Sequence, residues 1–179
     1  MQDWNVVISV YQDGFRRALR SLRDLGPIAR SAYHNVLVMK ADDPIAALAA
    51  IEKKTQKNTA LYDALSRVAP AMRCFDFQSS DKFMHNAKSV VLQWAPDLGG
   101  RSFHVRWHRR GGGHELHAQD VERALDDAIL DATQQAGQPS KVSFSDPDAV
   151  IAIDTIDGRA GLALWKREDL ARFHLLRPD

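Results

Sequence analysis

The segment SFHVRWHRRGGGHE, residues 102–115, combines an alternating pattern with a run of cations and three glycines. Apolar residues occupy every second position, and between them stand side chains that carry or can acquire positive charge: His104, Arg106, His108 and Arg110. A period of two is typical of a strand with one face in a core and the other in water. Side chains on one face of a strand repeat about every 7 Å. We therefore predict an exposed row of cations that can bind successive phosphates of a nucleic acid.

Further residues extend this predicted phosphate-binding set. Arg109 adds a cation at the end of the strand, and glycines 111–113 can bring backbone amides close to an anion. Gly112 is a member of the predicted RNA-binding set. The set also includes cations near the ends of other elements in the same half of the chain: Arg101, Lys141, Arg159, Lys166 and Arg167. The alternative that these arginines are only solvated remains open.

Metal binding and catalysis have less support in the sequence. Four histidines lie in or near the glycine segment, His104, His108, His114 and His117, but no cysteine or carboxylate completes a recognisable ligand spacing. Asp146 and Asp148 flank a proline, where aspartate is favoured for turn formation. No Walker loop, dinucleotide fingerprint or nucleophile elbow occurs. We predict no catalytic residue, no metal site and no cofactor.

Composition limits the class of protein. The chain has 179 residues, and its 24 Lys and Arg against 23 Asp and Glu give a net charge of +1. RNA binding must therefore come from local clustering of charge. Cys74 is the only cysteine, which favours a reducing compartment. The N-terminus has too short an apolar run for a signal peptide, and no stretch is long and apolar enough to span a membrane. These features predict a soluble cytoplasmic protein without a membrane partner.

The elements of the first half follow from periodicity and turn residues. Residues 4–10 read as a buried strand, 13–25 as a helix, 28–32 and 36–40 as hairpin strands, and a helix begins at Pro44 after an Asp43 cap. The helix over 13–25 carries four arginines opposite its apolar stripe, Arg16, Arg17, Arg20 and Arg23. They form either an ordinary solvent face or a second RNA contact. A strand near 72–77 is expected to complete a ferredoxin-like sheet.

The second half predicts another mixed unit. A third helix is expected over about 59–68 and further helices over 81–94 and 118–136, with the alternating strand between the last two. Strands over 150–156 and 162–165 are joined by the turn 157–161, and a short helix over 167–173 follows. The predicted fold class is α/β (α+β).

The order of motifs in this half resembles the THUMP domain of RNA-modification proteins. That pattern has Phe-x-Val-x-x-x-Arg-x-Gly on a strand, then a helix, then Pro-Asp before an apolar strand and its hairpin partner. The matching residues are Phe103, Val105, Arg109, Pro147, Asp148, Val150, Ile151 and Ile153. THUMP domains commonly follow an N-terminal ferredoxin-like domain, so the resemblance covers essentially the whole chain. It implies a ferredoxin-like α/β sandwich over residues 1–56 and a THUMP-like RNA-binding domain over 57–179.

Within that group, the chain is most similar to stand-alone THUMP proteins that assist tRNA cytidine acetylation. It ends at Asp179, directly after the THUMP-like region, which favours a protein without a catalytic domain. The resemblance implies a non-enzymatic module whose partners are tRNA, bound at its acceptor end, and a separate RNA-modifying enzyme such as an acetyltransferase. The oligomeric state is not predicted. The alternatives are a small metal- or acid/base-dependent enzyme acting on RNA and a protein-interaction module.

Overall fold

A computed structural model describes residues 1–112 and 115–178 of the chain. These residues form two compact units. The first unit comprises Met1–Met72 together with Leu170–Arg177, and the second comprises Arg73–Asp169 together with Pro178. No helix within the described residues is both long enough and apolar enough to cross a membrane.

The first unit is an antiparallel sheet with helices in a ferredoxin-like order. Its elements are β1 (Val6–Val10), α1 (Phe15–Leu22), β2 (Ile28–Arg30), β3 (Val36–Met39), α2 (Pro44–Lys57), α3 (Thr59–Ala64) and β4 (Leu65–Pro70). The strand order is β2-β3-β1-β4, and each neighbouring pair is antiparallel. This arrangement confirms the ferredoxin-like prediction for the first half of the chain.

Local signals fix the ends of the first two helices. α1 continues into a short 3-10 turn, Arg23–Leu25, and Gly26 follows with a φ of 147°, a conformation that favours glycine. A Cβ at Gly26 would also lie only 2.5 Å from the Lys40 carbonyl oxygen. At the start of α2 the Asp43 carboxylate accepts hydrogen bonds from the Ile45 and Ala46 amides, each at 3.0 Å. The predicted stop of the first helix and cap of the second are therefore confirmed.

The strand that completes the first sheet differs from the expectation. The third helix ends at Ala64 instead of near Val68, and Leu65–Pro70 then pairs with β1. The predicted strand near 72–77 does form, as β5 (Arg73–Asp76), but it belongs to the second sheet. Arg67 obscured β4 in the sequence, because this buried residue gives the strand a polar interior position. Its Nε donates to the Leu176 and Arg177 carbonyls at 3.2 and 3.0 Å.

The second unit has a five-stranded mixed sheet and two long helices. After β5 come α4 (Ser80–Leu98), β6 (Ser102–Arg110), α5 (Ala118–Gln135), β7 (Lys141–Val142), β8 (Ala149–Ile156) and β9 (Arg159–Lys166). A short helix, α6 (Arg167–Arg172), leads the chain back to the first unit. The strand order is β5-β9-β8-β6-β7, with β6 parallel to both of its neighbours.

The core of this unit contains the apolar residues of β6, as the alternation predicts. Phe103 and Val105 are fully buried, and Trp107 stacks on Phe83 of α4 with the ring centroids 5.1 Å apart. The indole Nε1 of Trp107 donates to the Thr155 hydroxyl at 3.0 Å, so the polar atom of this large side chain is also satisfied. The prediction that these residues share one core face is confirmed.

Candidate nucleic-acid interface

The polar face of β6 is not a water-exposed face. The parallel register aligns His104 with Val150 and Arg106 with Ala152, and both β8 residues are buried. Because aligned residues of a sheet share a face, the cationic row lies on a face that is itself largely buried. The prediction of an exposed row along β6 is therefore wrong. Alternation indicated correctly that the two faces differ, but a polar face can also be covered.

The row is used for internal contacts. His104 is fully buried, so its expected exposure is wrong, and its Nδ1 donates to the Ser143 carbonyl at 2.9 Å. His108 is half-buried, and its Nε2 donates to the Pro178 carbonyl at 2.7 Å. Arg110 is half-buried and lies 3.2 Å from the Asp154 carboxylate. Arg106 is half-buried as well. These side chains contribute to the structure of the sheet.

Arg109 organises the glycine segment. Its Nε, Nη1 and Nη2 donate to the carbonyls of Gly111, Leu116 and Gly112 at 3.0, 2.7 and 2.9 Å. Gly111 and Gly112 have φ values of 73° and 79°, which explains why glycine occupies both positions. Gly113 of the predicted anion-binding loop and His114, one of the four histidines near it, lie outside the described residues. The planar guanidinium of Arg109 is thus used to close the segment that follows β6.

Three other predicted cations face carboxylates. Arg159 lies 2.9 Å from Asp76, Lys166 lies 3.7 Å from Asp97, and Arg167 contacts both Asp146 and Asp148. Opposite charges at these distances reduce the positive potential that each cation presents to a distant polyanion. Arg159, Lys166 and Arg167 therefore offer less to a phosphate than their sequence positions suggest.

Asp148, directly before β8, is hydrogen-bonded to Ser102, the first residue of β6. Its carboxylate accepts from the Ser102 amide at 2.9 Å and from the Ser102 hydroxyl at 3.0 Å, and it contacts Arg167 at 3.1 Å. The hydrogen bond from the Ser102 amide, followed by those from Arg167 and the Ser102 hydroxyl, lowers the pKa of Asp148 to about 2. This carboxylate keeps its charge and holds the two strand starts together.

Arg101, Lys141 and Phe144 define what we call the strand-start surface. Lys141 aligns with Ser102 across the β6–β7 pair, and its amide donates to the Arg101 carbonyl at 3.1 Å. Both cationic side chains are exposed, and neither forms an ion pair within the part of the chain that the structure describes. Both side chains therefore remain open to an external anion.

Phe144 is a residue that the sequence analysis missed. Its side chain is 64% exposed, and its ring lies 5.4 Å from the buried imidazole of His104. The signal in the sequence was a large aromatic residue within the polar turn SFSDPD, where a core position is improbable. Phe144 follows Lys141 closely in the sequence. An exposed aromatic ring can stack on a base while exposed cations bind phosphates.

Carboxylates of α5 protect the free edge of β6. β7 pairs with only Ser102 and Phe103, and beyond them the amides of Val105 and Trp107 donate to Asp126 and Glu122 at 3.1 and 2.8 Å. Asp126 is buried, and this burial is the main cause that raises its pKa to about 7. The helix thereby satisfies strand donors that a neighbouring strand would otherwise bind.

Two of the four histidines near the glycine segment, His104 and His117, differ in burial. Among the described residues, no group of three or more His, Cys, Asp or Glu side chains is placed to hold a metal ion. His117 is exposed at the start of α5, whereas His104 is buried on β6.

Comparison with known proteins identifies the second unit. Residues 78–164 match the family model described as the THUMP domain, and no curated protein sequence matches the chain. PH1313 from Pyrococcus horikoshii has a similar structure, with a TM-score of 0.62 at 16% identity over 90% of this chain. TrmN from Thermus thermophilus has a TM-score of 0.60 at 17% sequence identity over 89% of this chain. A 4-thiouridine synthetase in complex with RNA and ATP has a TM-score of 0.53 at 11% sequence identity over 92% of this chain.

The likeness covers only part of those structures. The chain spans 54% of PH1313, 44% of TrmN and 42% of the 4-thiouridine synthetase chain. At these identities the structural likeness shows the fold, and the family model identifies the domain. THUMP domains are tRNA-binding modules found in tRNA-modifying enzymes. The chain is therefore an α+β protein in which an N-terminal ferredoxin-like domain is followed by a THUMP domain.

Proposed function

We propose that this protein is a non-catalytic tRNA-binding module that presents the acceptor end of tRNA to a separate RNA-modifying enzyme, such as a cytidine acetyltransferase. The observation that carries the proposal is the THUMP domain over residues 78–164. The family match includes no catalytic domain, and the described residues form no metal-binding group. An adaptor needs only an RNA-binding surface and a stable scaffold.

We assign the RNA contact to the strand-start surface. Arg101 and Lys141 supply exposed positive charge and form no ion pair with another described residue, and Phe144 supplies an exposed ring. Unpaired RNA ends are commonly bound by this combination, because their bases can stack on aromatic rings while phosphates meet cations. In this proposal Arg109 and Arg110 stabilise the other end of β6, and they act on RNA binding only indirectly.

Titration of tRNA with charge-reversed protein tests this assignment. R101E/K141E is expected to weaken tRNA binding at least tenfold at moderate salt. A plot of the logarithm of the binding constant against the logarithm of the salt concentration should also become less steep. Its slope should decrease in magnitude by roughly 0.7–0.9 for each phosphate that the variant no longer binds. F144A is expected to weaken binding about tenfold, because stacking on one base contributes about 1–3 kcal/mol.

The matched control is K88E/R123E, which changes the net charge equally at two exposed positions of α4 and α5. It should bind tRNA as the wild type does. Equal losses in R101E/K141E and in the control would show that only overall charge matters and would remove the assignment of the surface. A wild-type protein that does not retain tRNA would refute the proposed function itself.

The adaptor role has its own test in cells. In a strain that lacks the protein, one modified nucleoside of tRNA should disappear while the gene for its modifying enzyme remains intact. Mass spectrometry of tRNA nucleosides measures this, and loss of acetylated cytidine would identify an acetyltransferase as the partner. An unchanged set of nucleosides would argue against any role in tRNA modification.

A further inference from the structure

A second cationic surface lies on the first unit, along α1. Its four arginines, Arg16, Arg17, Arg20 and the following Arg23, are all exposed. Ala18 and Leu22 are buried and hold the opposite side of the helix against the unit. None of the four arginines forms an ion pair within the described residues. This surface therefore keeps the positive charge that much of the β6 region has neutralised.

The helix borders two polar grooves. One has a volume of about 370 Å³ and is lined by Asp13, Arg16, Arg17, Arg20, Ser21 and Asn58. The other has a volume of about 400 Å³ and shares Asp13 and Arg17 with the first. Arg17 donates to the Ala60 carbonyl at 3.2 Å, which fixes one guanidinium at their common border. Three arginines thus converge on the first groove, whose lining has a single acid.

Exposed aromatic residues adjoin the second groove. Tyr11, which lines it, and Tyr62 are 52% and 40% exposed. The Arg177 guanidinium lies between their hydroxyl groups, at 3.3 Å from Tyr11 and 3.5 Å from Tyr62, and it also donates to the Ser66 carbonyl at 3.0 Å. Arginine with exposed rings is the combination that binds nucleic acids without sequence preference.

We propose that α1 and the first groove bind the phosphate backbone of RNA, so that the N-terminal domain contributes a second RNA-binding surface. The second groove is lined by Asp13 and Asp63 with Arg17 as its one cation, so the phosphate contact is assigned to the first groove. This inference rests on the proposed function for the identity of the polyanion. Arg16 and Arg20 lie one helical turn apart, about 6 Å along the axis, and both present guanidinium groups that can bind phosphates in a bidentate manner. The helix contacts the backbone only, so it adds affinity without reading bases.

The composition of the surface favours RNA over an acidic protein. The centre of a protein interface is depleted of charged residues and depends on buried apolar or aromatic anchors. The exposed positions of α1 itself are Arg16, Arg17 and Arg20, and the exposed Tyr11 and Tyr62 rings lie outside the helix, so α1 offers no such anchor. A phosphate backbone needs only positive charge and hydrogen-bond donors, and α1 supplies both.

The experiment measures tRNA binding by the full chain carrying R16E/R20E. We expect at least a tenfold loss of affinity. The slope of the logarithm of the binding constant against the logarithm of the salt concentration should decrease in magnitude by roughly 0.7–0.9 for each of the two phosphates that these arginines bind. R16K/R20K should lose less, because it keeps the charge and removes only the bidentate geometry. K88E/R123E again controls for net charge, and thermal unfolding of each variant shows whether the fold is intact.

The outcomes separate this inference from the proposed function. Normal binding by R16E/R20E, together with weak binding by R101E/K141E, would overturn the second surface and leave the THUMP contact standing. Weak binding by R16E/R20E and normal binding by R101E/K141E would support α1 and overturn the strand-start surface. Failure of the wild type to bind tRNA would overturn both. Wild-type binding to polyglutamate as tight as to tRNA would overturn RNA as the ligand of α1.

Discussion

β6 and α1 carry similar numbers of cations in the sequence, yet the structure uses them in opposite ways. On α1 and the turn that follows it, four arginines are exposed and form no ion pair within the described residues. On β6, His104 is buried, Arg109 holds the glycine segment, and Arg110 lies beside Asp154. The same side-chain chemistry therefore serves internal structure in one region and remains available at the surface in the other.

The difference comes from how strands and helices are packed. A helix at the surface buries one stripe, and the remaining positions are solvated unless another element covers them. A strand within a sheet has two faces and two edges, and each can be covered independently. In the second unit, β8 is buried along its whole length, so its neighbour β6 has little open surface on either face. Cations on a surface helix are thus better candidates for RNA contacts than cations on an internal strand.

The largest effect should follow from removing the carboxylate beside Arg110. Asp154→Ala leaves a guanidinium that is only 19% exposed without this acidic neighbour, whose own side chain is 6% exposed. Loss of one partner from a buried pair is strongly destabilising, and we expect the free energy of unfolding to fall by about 3 kcal/mol. Urea denaturation measures this. A change below about 0.5 kcal/mol would mean that the polar face of β6 is solvated after all.

His104 should show the next largest effect. His104→Ala removes a fully buried ring and its hydrogen bond to Ser143, so we expect a loss of about 2–3 kcal/mol in the free energy of unfolding. Phe144→Ala is the matched variant, because Phe144 contacts the same ring but is 64% exposed. It should cost less than about 0.5 kcal/mol. A reversed order of the two losses would contradict the assignment of His104 to structure and Phe144 to the surface.

The sequence predicted the fold better than the site, and particular residues show why. Asp43, Gly26 and the alternation from Phe103 to Trp107 are local signals, and the elements they predicted form as expected. β4 was missed because it contains a buried arginine, Arg67. Hydrogen bonds to carbonyls 109 and 110 residues away in the sequence satisfy this side chain, and local patterns do not reveal such distant partners. The exposure of the β6 cations likewise depends on the partners of β8 and on Asp154, which local spacing does not determine.

Asp126 offers a test based on pH at the free edge of β6. Burial raises its pKa to about 7, whereas an unfolded aspartate titrates near 4. Between these pH values the folded state binds more protons, so the free energy of unfolding decreases as pH rises from about 4 to about 7. Asp126→Asn removes this dependence and keeps an oxygen that can accept from the Val105 amide.

The wild type should therefore lose about 1–2 kcal/mol more of its free energy of unfolding than Asp126→Asn does when the pH is raised from 4 to 8. One pKa unit corresponds to about 1.4 kcal/mol, and nearby solvent screens part of the shift. Asp127→Asn, at an exposed position on the same helix, is the matched control. A difference between variant and wild type that stays constant across this pH range would show that the buried carboxyl does not titrate there.

The smallest effect on stability should accompany a clear effect on binding at α1. Arg20 is exposed and outside any ion pair of the described chain, so Arg20→Ala should change the free energy of unfolding by less than about 0.5 kcal/mol. The same variant should weaken tRNA binding several-fold, because each cation that meets a phosphate releases bound counterions. Asp154→Ala should show the opposite pattern, with a large loss of stability and tRNA affinity retained while the protein stays folded. If Arg20→Ala destabilised the protein as much as Asp154→Ala, the arginines of α1 would be structural, and the contrast between the two regions would disappear.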